Sequence, residues 1–475
     1  MAAPREPSGS APRRPPRQRH PDTRRVQTPA DPARRAAYEL LRAVATRDAY
    51  ANLALPSILR DLRVVGRDAA FATELGYGTL RGRGTYDAVL AACVDRPLDA
   101  LDPPVLDLLR LGAHQLLAMR VPSHAAVATT VDLARVTVGA GPSRLVNAVL
   151  RRVADRDRDA WLAAVAPPLG RDPAAHLAVV HSHPRWIVAA VRAALGGDLV
   201  ETAAALVADN EPAAVTLAAR PGRGTRAELV DHGAEPTPYS AWGATLSSGD
   251  PGGLEAVAQG RAQVQDEGSQ LVALALAAVP VEGAERVWLD VAAGPGGKAA
   301  LLQGIAAERG IGYLAADRAP HRAGMVRAAL GGAPGRWLVA AADGRSPWTA
   351  ERSVDRVLLD APCSGLGALR RRPEARWRRL AGDLPALTRL QRDLLGTALD
   401  AVRAGGVVAY VTCSPHPVET RQVVDAVIGP RDDVELVDAR PFLPGVPHLG
   451  PGPDVQLWPH RHGTDAMYLA LLRRA

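Results

Sequence analysis

The sequence predicts a multidomain chain in which an all-α half precedes an α/β half built on a parallel, doubly wound sheet. Three observations predict it. Residues 36–155 carry apolar side chains at helical spacing. Beyond about residue 263, short continuous apolar runs alternate with helical segments. Those runs end, one after another, on an aspartate or a cysteine. A chain of 475 residues exceeds one average domain, and its 47% hydrophobic content supports real cores.

The first stretch, residues 1–35, holds nine arginines and eight prolines against Glu6, Asp22 and Asp31, a net of +6 out of the chain's +7. Such a composition predicts a disordered basic arm, either touching RNA or only solubilising the chain. The rest is close to neutral, so any nucleic-acid surface there must be a local patch. No apolar run is long enough to span a bilayer, and none follows the basic stretch as a signal peptide requires. Three cysteines, Cys93, Cys363 and Cys413, cannot build a disulfide framework. The expectation is a cytoplasmic protein with no membrane contact.

Residues 36–157 are expected to form a compact helical domain. Tyr38, Leu41, Val44 and Ala45 share one helix face; Asp102-Pro103-Pro104 starts another helix, whose face carries Val105, Leu108, Leu109, Gly112 and Leu116. Residues 158–262 read as a connecting subdomain. It has helices near Trp186–Leu195 and Leu199–Ala208, then a Gly- and Pro-rich, weakly strand-like region.

In residues 263–475 the expected strands are Val287–Val291, Ile311–Asp317, Trp337–Asp343, Val354–Asp360 and Gly406–Cys413. A lone aspartate at a strand end is ordinarily a turn former. Here Asp290, Asp317, Asp343, Asp360 and Cys413 close five strands in series, and open parallel sheets bind ligands beyond those ends. The loop "DVAAGPGGKAA" follows the first strand and opens a helix. It fails as a P-loop, because positions 292 and 299 are both Ala. It fits G-x-G-x-x-A through Gly294, Gly296 and Ala299, with Asp317 further on to meet a ribose. That motif admits a dinucleotide or any other cofactor carrying an adenosine. Its Lys298 is the only lysine in the chain.

The cysteines separate these possibilities. Hydride transfer has no use for thiols at the ends of the fourth and fifth strands, whereas methyl transfer to a pyrimidine carbon does. C5 of cytosine becomes nucleophilic once a thiolate adds to C6, and an acid such as Asp360 near N3 assists the addition. Cys93, in the helical run "LAACVD", reads as a small core residue. Cys363 and Cys413 each follow a strand and precede a serine and turn-forming residues.

"DAPCSGLGALRRRPEARW" and "VVAYVTCSPHPVE" resemble the two cysteine motifs of the RNA cytosine-5 methyltransferases. "DVAAGPGGK" resembles that family's cofactor loop, "VQDEGSQL" the helix before it, and "HGTDAMYLALL" its closing strand. In the first half, "AYANLAL", "ELGYGTLRG", "LRLGAHQLLAMRVPSHAAV" and "LVNAVLRR" resemble the NusB-like domain of bacterial 16S rRNA methyltransferases of the Sun (RsmB) type. The resemblance covers nearly everything after residue 35. It implies an all-α NusB-like domain followed by a Rossmann-like, S-adenosylmethionine-dependent methyltransferase domain.

Residue roles follow from the resemblance alone. Cys413 is the expected nucleophile, Cys363 the residue that assists product release, and Asp360 the contact to cytosine at the edge of the cofactor. Ala292, Ala293, Gly294, Pro295, Gly296, Gly297 and Lys298 would form the S-adenosylmethionine loop. Asp317 would hold the ribose and Asp343 the adenine amino group, while Lys298 would face the target nucleotide. Ala292 and Gly294 depart from the family's usual Cys and Ala there, Thr420 replaces a common Asn, and "DAMY" replaces a Gly-Phe-Phe-like end. Arg370, Arg371, Arg372 and Arg376, clustered with Arg378 and Arg379 around Trp377, are the expected RNA contacts, although a solvated charged helix would look the same.

"HSH" at 181–183 and "HRH" at 460–462 lack companion ligands at zinc spacing, so no metal is expected. The expected partner is small-subunit ribosomal RNA, acted on by a monomer. Two other readings differ in what they need: an RNA-binding, antitermination-type protein with an inactive second half, and a nicotinamide oxidoreductase resting on the glycine fingerprint alone. Intact Asp360, Cys363 and Cys413 argue against the first.

Overall fold

The computed structural model describes Met1 and residues 31–247, 249–346 and 349–475. The stretch expected to be a disordered arm lies outside the described residues up to position 30. Its last residues are helical. Helix α1 (Pro32–Arg47) begins inside the stretch because Asp31 accepts the amides of Ala33 and Arg34, and Pro32 fills the first helical position. Arg34, whose charge was counted with the arm, is buried and donates to Gln115 at 2.8 Å.

Helices α2 (Ala51–Asp61), α3 (Gly66–Cys93), α4 (Pro103–Leu117), α5 (Ser123–Thr137) and α6 (Ala140–Ala154) complete the first domain. Leu40, Leu75, Leu90, Leu108, Leu109 and Leu150 are wholly buried in its one core, each worth about 1.5–3 kcal/mol. Gly112 lets α4 and α6 approach closely, since a Cβ there would stand 2.4 Å from Leu150. Asp102 occupies the cap position of α4 without bonding through its side chain. The two prolines that follow remove amides it could have accepted. Helix α7 (Arg158–Val165) also packs on this core: Trp161 is buried in it and donates to the Val153 carbonyl at 2.8 Å.

Helices α8 (Pro173–Val180), α9 (Arg185–Ala194) and α10 (Leu199–Ala208) follow. Then β1 (Val215–Ala219), β2 (Glu235–Pro236), β3 (Gly243–Leu246) and β4 (Ala262–Val264) form an antiparallel sheet in the order β2-β3-β1-β4. Leu177, Ile187, Val188 and Leu206 of the three helices share a core with Leu366 and Leu369, just beyond the Cys363 turn. The connecting region therefore braces the segment that follows the Cys363 turn.

The last region holds β5 (Val287–Asp290), β6 (Gly312–Asp317), β7 (Trp337–Ala341), β8 (Val354–Asp360), β9 (Val402–Thr412), β10 (Val434–Val437), β11 (Val455–Gln456) and β12 (Tyr468–Arg474). The sheet runs β10-β12-β9-β8-β5-β6-β7, with β11 on β12. The five expected strands pair in parallel. The sheet as a whole is mixed, not parallel: β12 is antiparallel to β9 and to β10. The cause is local. Between β10 and β12 the chain forms only short pieces, the longest helix being Pro459–His462. With no crossover helix to return it to the far end, it re-enters the sheet at the ligand-binding end, Tyr468 opposite Thr412.

Candidate active site

The crevice lies beyond the carboxyl ends of β5, β6, β8 and β9. It has a volume of about 890 Å³ and is lined by Ala292, Gly294, Asp317, Asp343, Asp360, Cys363, Cys413 and Arg372 from among the expected residues. After β5 the chain turns tightly through Ala293-Gly294-Pro295 to Gly296, which caps the helix Gly297–Glu308. Gly296 adopts φ +118°, and a Cβ on it would stand 2.8 Å from that of Ala329. At Gly294 a Cβ would stand 2.4 Å from Asp317 Oδ2, which accepts the Gly294 amide at 3.1 Å. The positive φ makes glycine the fitting residue at 296, whereas a side chain at 294 would have to displace the carboxylate and guanidinium of Asp317 and Arg322. Ala293, Pro295, Gly296 and Gly297 shape the turn without lining the crevice.

Asp317 also accepts the Ala319 amide at 2.9 Å and faces Arg322 Nε at 3.3 Å. Asp343 is held by Arg345 through its backbone amide and guanidinium, which keep its carboxyl down at about 2. Asp290 stays below the crevice. It is buried, accepts the Tyr313 hydroxyl at 3.2 Å, and is pushed up to about 8 by burial and then by the charge of Asp360.

Lys298 Nζ stands 2.8 Å from Asp360 Oδ2. Burial alone would lower the ammonium's pKa, yet Asp360 outweighs it and holds the charge. Cys363 Sγ and Cys413 Sγ are 3.4 Å apart, brought together from positions 50 residues apart by adjacent strand ends. Their titrations diverge. The shared hydrogen bond lowers Cys413 despite its burial, and Lys298 helps; the same bond and burial raise Cys363 well above the usual thiol range. Of the two sulfurs Cys413 is therefore the one that ionises more readily, which leaves Cys363 as the S–H partner when it does. Cys93 is a buried residue of the helical core.

The arginine patch divides. Arg372 is exposed, 5.1 Å over the ring of Tyr50, which reaches the crevice from the loop after α1. Arg370 donates to the Gly463 carbonyl at 2.7 Å, and Arg371 lies between Asp465 and Asp266. Arg376 is wholly buried and is not on an RNA-facing surface. Its guanidinium bonds to the carbonyls of Ser182 (3.0 Å) and Asp209 (3.2 Å) and to Asn210 Oδ1 (2.8 Å). Its neighbours turn it inward: Trp377 donates to the Leu80 carbonyl at 3.2 Å, and Arg378 pairs with Asp48 at 2.9 Å. Part of the apparent RNA patch is thus a rivet joining the domains. His183, of "HSH", belongs to the same junction, 3.7 Å from Asp209. Among the described residues no group of three or more His, Cys, Asp or Glu could hold a metal ion, and no helix is long and apolar enough to cross a membrane.

Comparison with known proteins gives this geometry a context. Residues 275–473 match the model of the 16S rRNA methyltransferase RsmB/F family, and residues 31–155 that of the NusB family. The ribosomal RNA small subunit methyltransferase B of Pseudomonas putida is 34% identical over 83% of this chain and 88% of its own. The chain belongs to the RsmB family of ribosomal RNA methyltransferases. A Mycobacterium tuberculosis protein is 52% identical over 97% of this chain and 99% of its own. The solved structure of PH0851 covers 94% of this chain and 99% of its own with a TM-score of 0.75 at 21% identity, and shares the fold.

In this methyltransferase several residues of the crevice escaped the sequence reading. Arg318, Arg322 and Tyr50 line it. Behind the two thiols lies Glu419, wholly buried. Arg318 lies in the loop after β6 and Arg322 on the first turn of the helix Pro320–Leu330, where a lone guanidinium gives no periodic signal, and Tyr50 belongs to another domain. The serine after each cysteine was visible, but not the carboxylate both would find.

Proposed function

We propose that this enzyme methylates C5 of a cytosine in 16S ribosomal RNA, using S-adenosylmethionine and a transient bond between Cys413 and C6 of the base. The observation that carries the reading is the pair of thiols 3.4 Å apart with opposite titration, next to the Lys298–Asp360 pair. The 16S assignment rests on relatives such as the enzymes of Pseudomonas putida and Vibrio cholerae, both called ribosomal RNA small subunit methyltransferase B.

The cofactor's needs fit the residues present. Its hydroxyl and amino groups want acceptors, and Asp317 and Asp343 offer carboxylates at the crevice beside a glycine loop that admits close approach. Ala292, Gly294, Asp317 and Asp343 would hold it. When bound, S-adenosylmethionine supplies an electrophilic methyl group.

The chain's own residues do the rest. Asp360, kept in place by Lys298, meets the pyrimidine ring at N3 as an acid: it lends N3 a proton as Cys413 thiolate adds to C6 and takes it back when the C6–S bond breaks. That addition places electron density on C5, which takes the methyl group. Loss of the C5 proton to solvent then returns the C6–S electron pair to Cys413, and the S–H of Cys363 receives the departing thiolate as a hydrogen-bond donor. The base must leave its stack for a thiol to reach C6. Arg372 and Arg379, exposed at the crevice, would meet the phosphates beside it.

The test is methyl transfer from labelled cofactor to 16S RNA, with the product hydrolysed to nucleosides. Wild-type protein is expected to yield 5-methylcytidine and Cys413→Ala none; label on another nucleoside, or an undiminished Cys413→Ala, overturns the reading.

A further inference from the structure

Glu419 accepts four hydrogen bonds in a space closed to water. Its Oε1 takes the Ser364 amide at 2.8 Å and Gln391 Nε2 at 3.1 Å. Its Oε2 takes the Ser414 hydroxyl at 2.7 Å and the Ser364 hydroxyl. The two hydroxyls are themselves 3.1 Å apart. Ser364 follows Cys363 and Ser414 follows Cys413, so one carboxylate ties together the turns that carry the two thiols. A buried carboxylate is costly unless its lone pairs are filled, and here they are.

The tie is asymmetric. Cys413 directly follows β9, a strand whose residues 407–411 are paired on both sides, with β8 and with β12, and whose last residue, Thr412, is paired with β12. The sheet holds that sulfur whether or not Glu419 is present. Cys363 sits in an irregular turn after β8. Around it, the amide and hydroxyl of Ser364 go to Glu419, and Gln391 reaches the Pro362 carbonyl at 2.9 Å while itself bonding Glu419. Removing the carboxylate would free the Cys363 turn far more than Cys413.

We propose that Glu419 is a positioning residue that holds the Cys363 thiol against the sulfur of Cys413, so that its loss slows release of the methylated RNA more than attack on it. The inference rests on the covalent chemistry proposed above. Attack needs only the Cys413 thiolate, Asp360 and Lys298. Release breaks the C6–S bond, sends the pair to Cys413 sulfur, and needs the S–H donor that Glu419 keeps within 3.4 Å. The proton from C5 goes to solvent in either case.

The experiment follows covalent protein–RNA adduct on denaturing gels during a single turnover with cofactor. Variants are Glu419→Ala, Glu419→Gln, Ser364→Ala and Cys363→Ala. Glutamine can present Oε1 to the Ser364 amide and Nε2 to the two hydroxyl oxygens, so Glu419→Gln is expected to restore release. Glu419→Ala is expected to raise the adduct fraction about tenfold, the equivalent of one charge-assisted hydrogen bond, with cofactor binding unchanged. Ser364→Ala loses only the hydroxyl contact and should fall between. Adduct in Cys363→Ala but none above wild type in Glu419→Ala or Ser364→Ala overturns the role of Glu419. Absence of adduct even in Cys363→Ala overturns the underlying chemistry instead. If Glu419→Ala fails to bind cofactor, Ser364→Ala decides: excess adduct supports the inference and its absence overturns it.

Discussion

Lys298 and Asp360 form an ion pair at 2.8 Å across the mouth of the sheet, the first from the helix after β5 and the second from the end of β8. It is the only lysine of an arginine-rich chain, and it lies where a compact charge is needed beside the thiols. The pair does two things: it holds the Asp360 carboxyl in place, and its ammonium lowers the Cys413 titration, adding to the larger effect of the Cys363 hydrogen bond. Lys298→Met should therefore raise the Cys413 titration, measured as the pH dependence of its alkylation by iodoacetamide, and move the acid limb of the pH–rate profile the same way. Lys298→Arg should keep most of the alkylation profile and less of the turnover, because a planar fork cannot take the same place.

Arg376 and Arg372 are four residues apart and should behave as opposites. Arg376→Met leaves the carbonyls of Ser182 and Asp209 without their donor in a dry junction, which should cost about 3 kcal/mol of stability. It should leave the salt dependence of RNA binding unchanged in whatever protein folds. Arg372→Ala should leave the melting temperature within a degree or two and lower the log–log salt slope of RNA binding by roughly 0.7, one phosphate's share for a single strand.

Asp290 makes stability depend on pH. Its carboxyl is raised to about 8 in the folded chain and titrates near about 4 when unfolded, so between those values the folded state holds a proton that the unfolded state has lost. Its contribution is complete below about pH 4 and declines as pH rises towards 8. Asp290→Asn keeps an acceptor for Tyr313 and cannot ionise. Melting curves from pH 5 to pH 8 should show the variant gaining on the wild type as pH increases.

Gly296 is where the cofactor loop has least freedom. Gly296→Ala sets a Cβ at φ +118° and within 2.8 Å of Ala329, so the loop must shift. The expected result is at least about tenfold weaker cofactor binding by calorimetry, with the melting temperature of the helical domain's core little changed.

Much of this was legible in sequence because strand periodicity and strand-end chemistry are local. Asp317, Asp343, Asp360 and Cys413 could be brought to the crevice from short apolar runs, and Cys363 from the turn after one of them; Asp290 closes its strand but stays beneath the crevice, and β7 stops at Ala341, two residues before Asp343. What was not legible depends on partners far away in the chain. Arg376 looks like its exposed neighbours until Asp209 and Ser182, well over a hundred residues earlier, close around it. Glu419 looks like a turn residue until Ser364 arrives from 55 residues upstream. The antiparallel β12 could be recognised as a strand, but its direction depends on where an irregular segment leaves the chain. Arg34 was assigned to the arm because composition averages over a stretch, whereas the Asp31 cap acts at one position.

The most direct test of the covalent account is peptide mapping of the RNA adduct. Cys363→Ala protein would be trapped on 16S RNA with cofactor, digested with protease and nuclease, and the cross-linked peptide identified by mass spectrometry. The account predicts a methylated cytidine attached at Cys413. Attachment at any other residue, or RNA that leaves the denatured variant without a covalent bond, would contradict it.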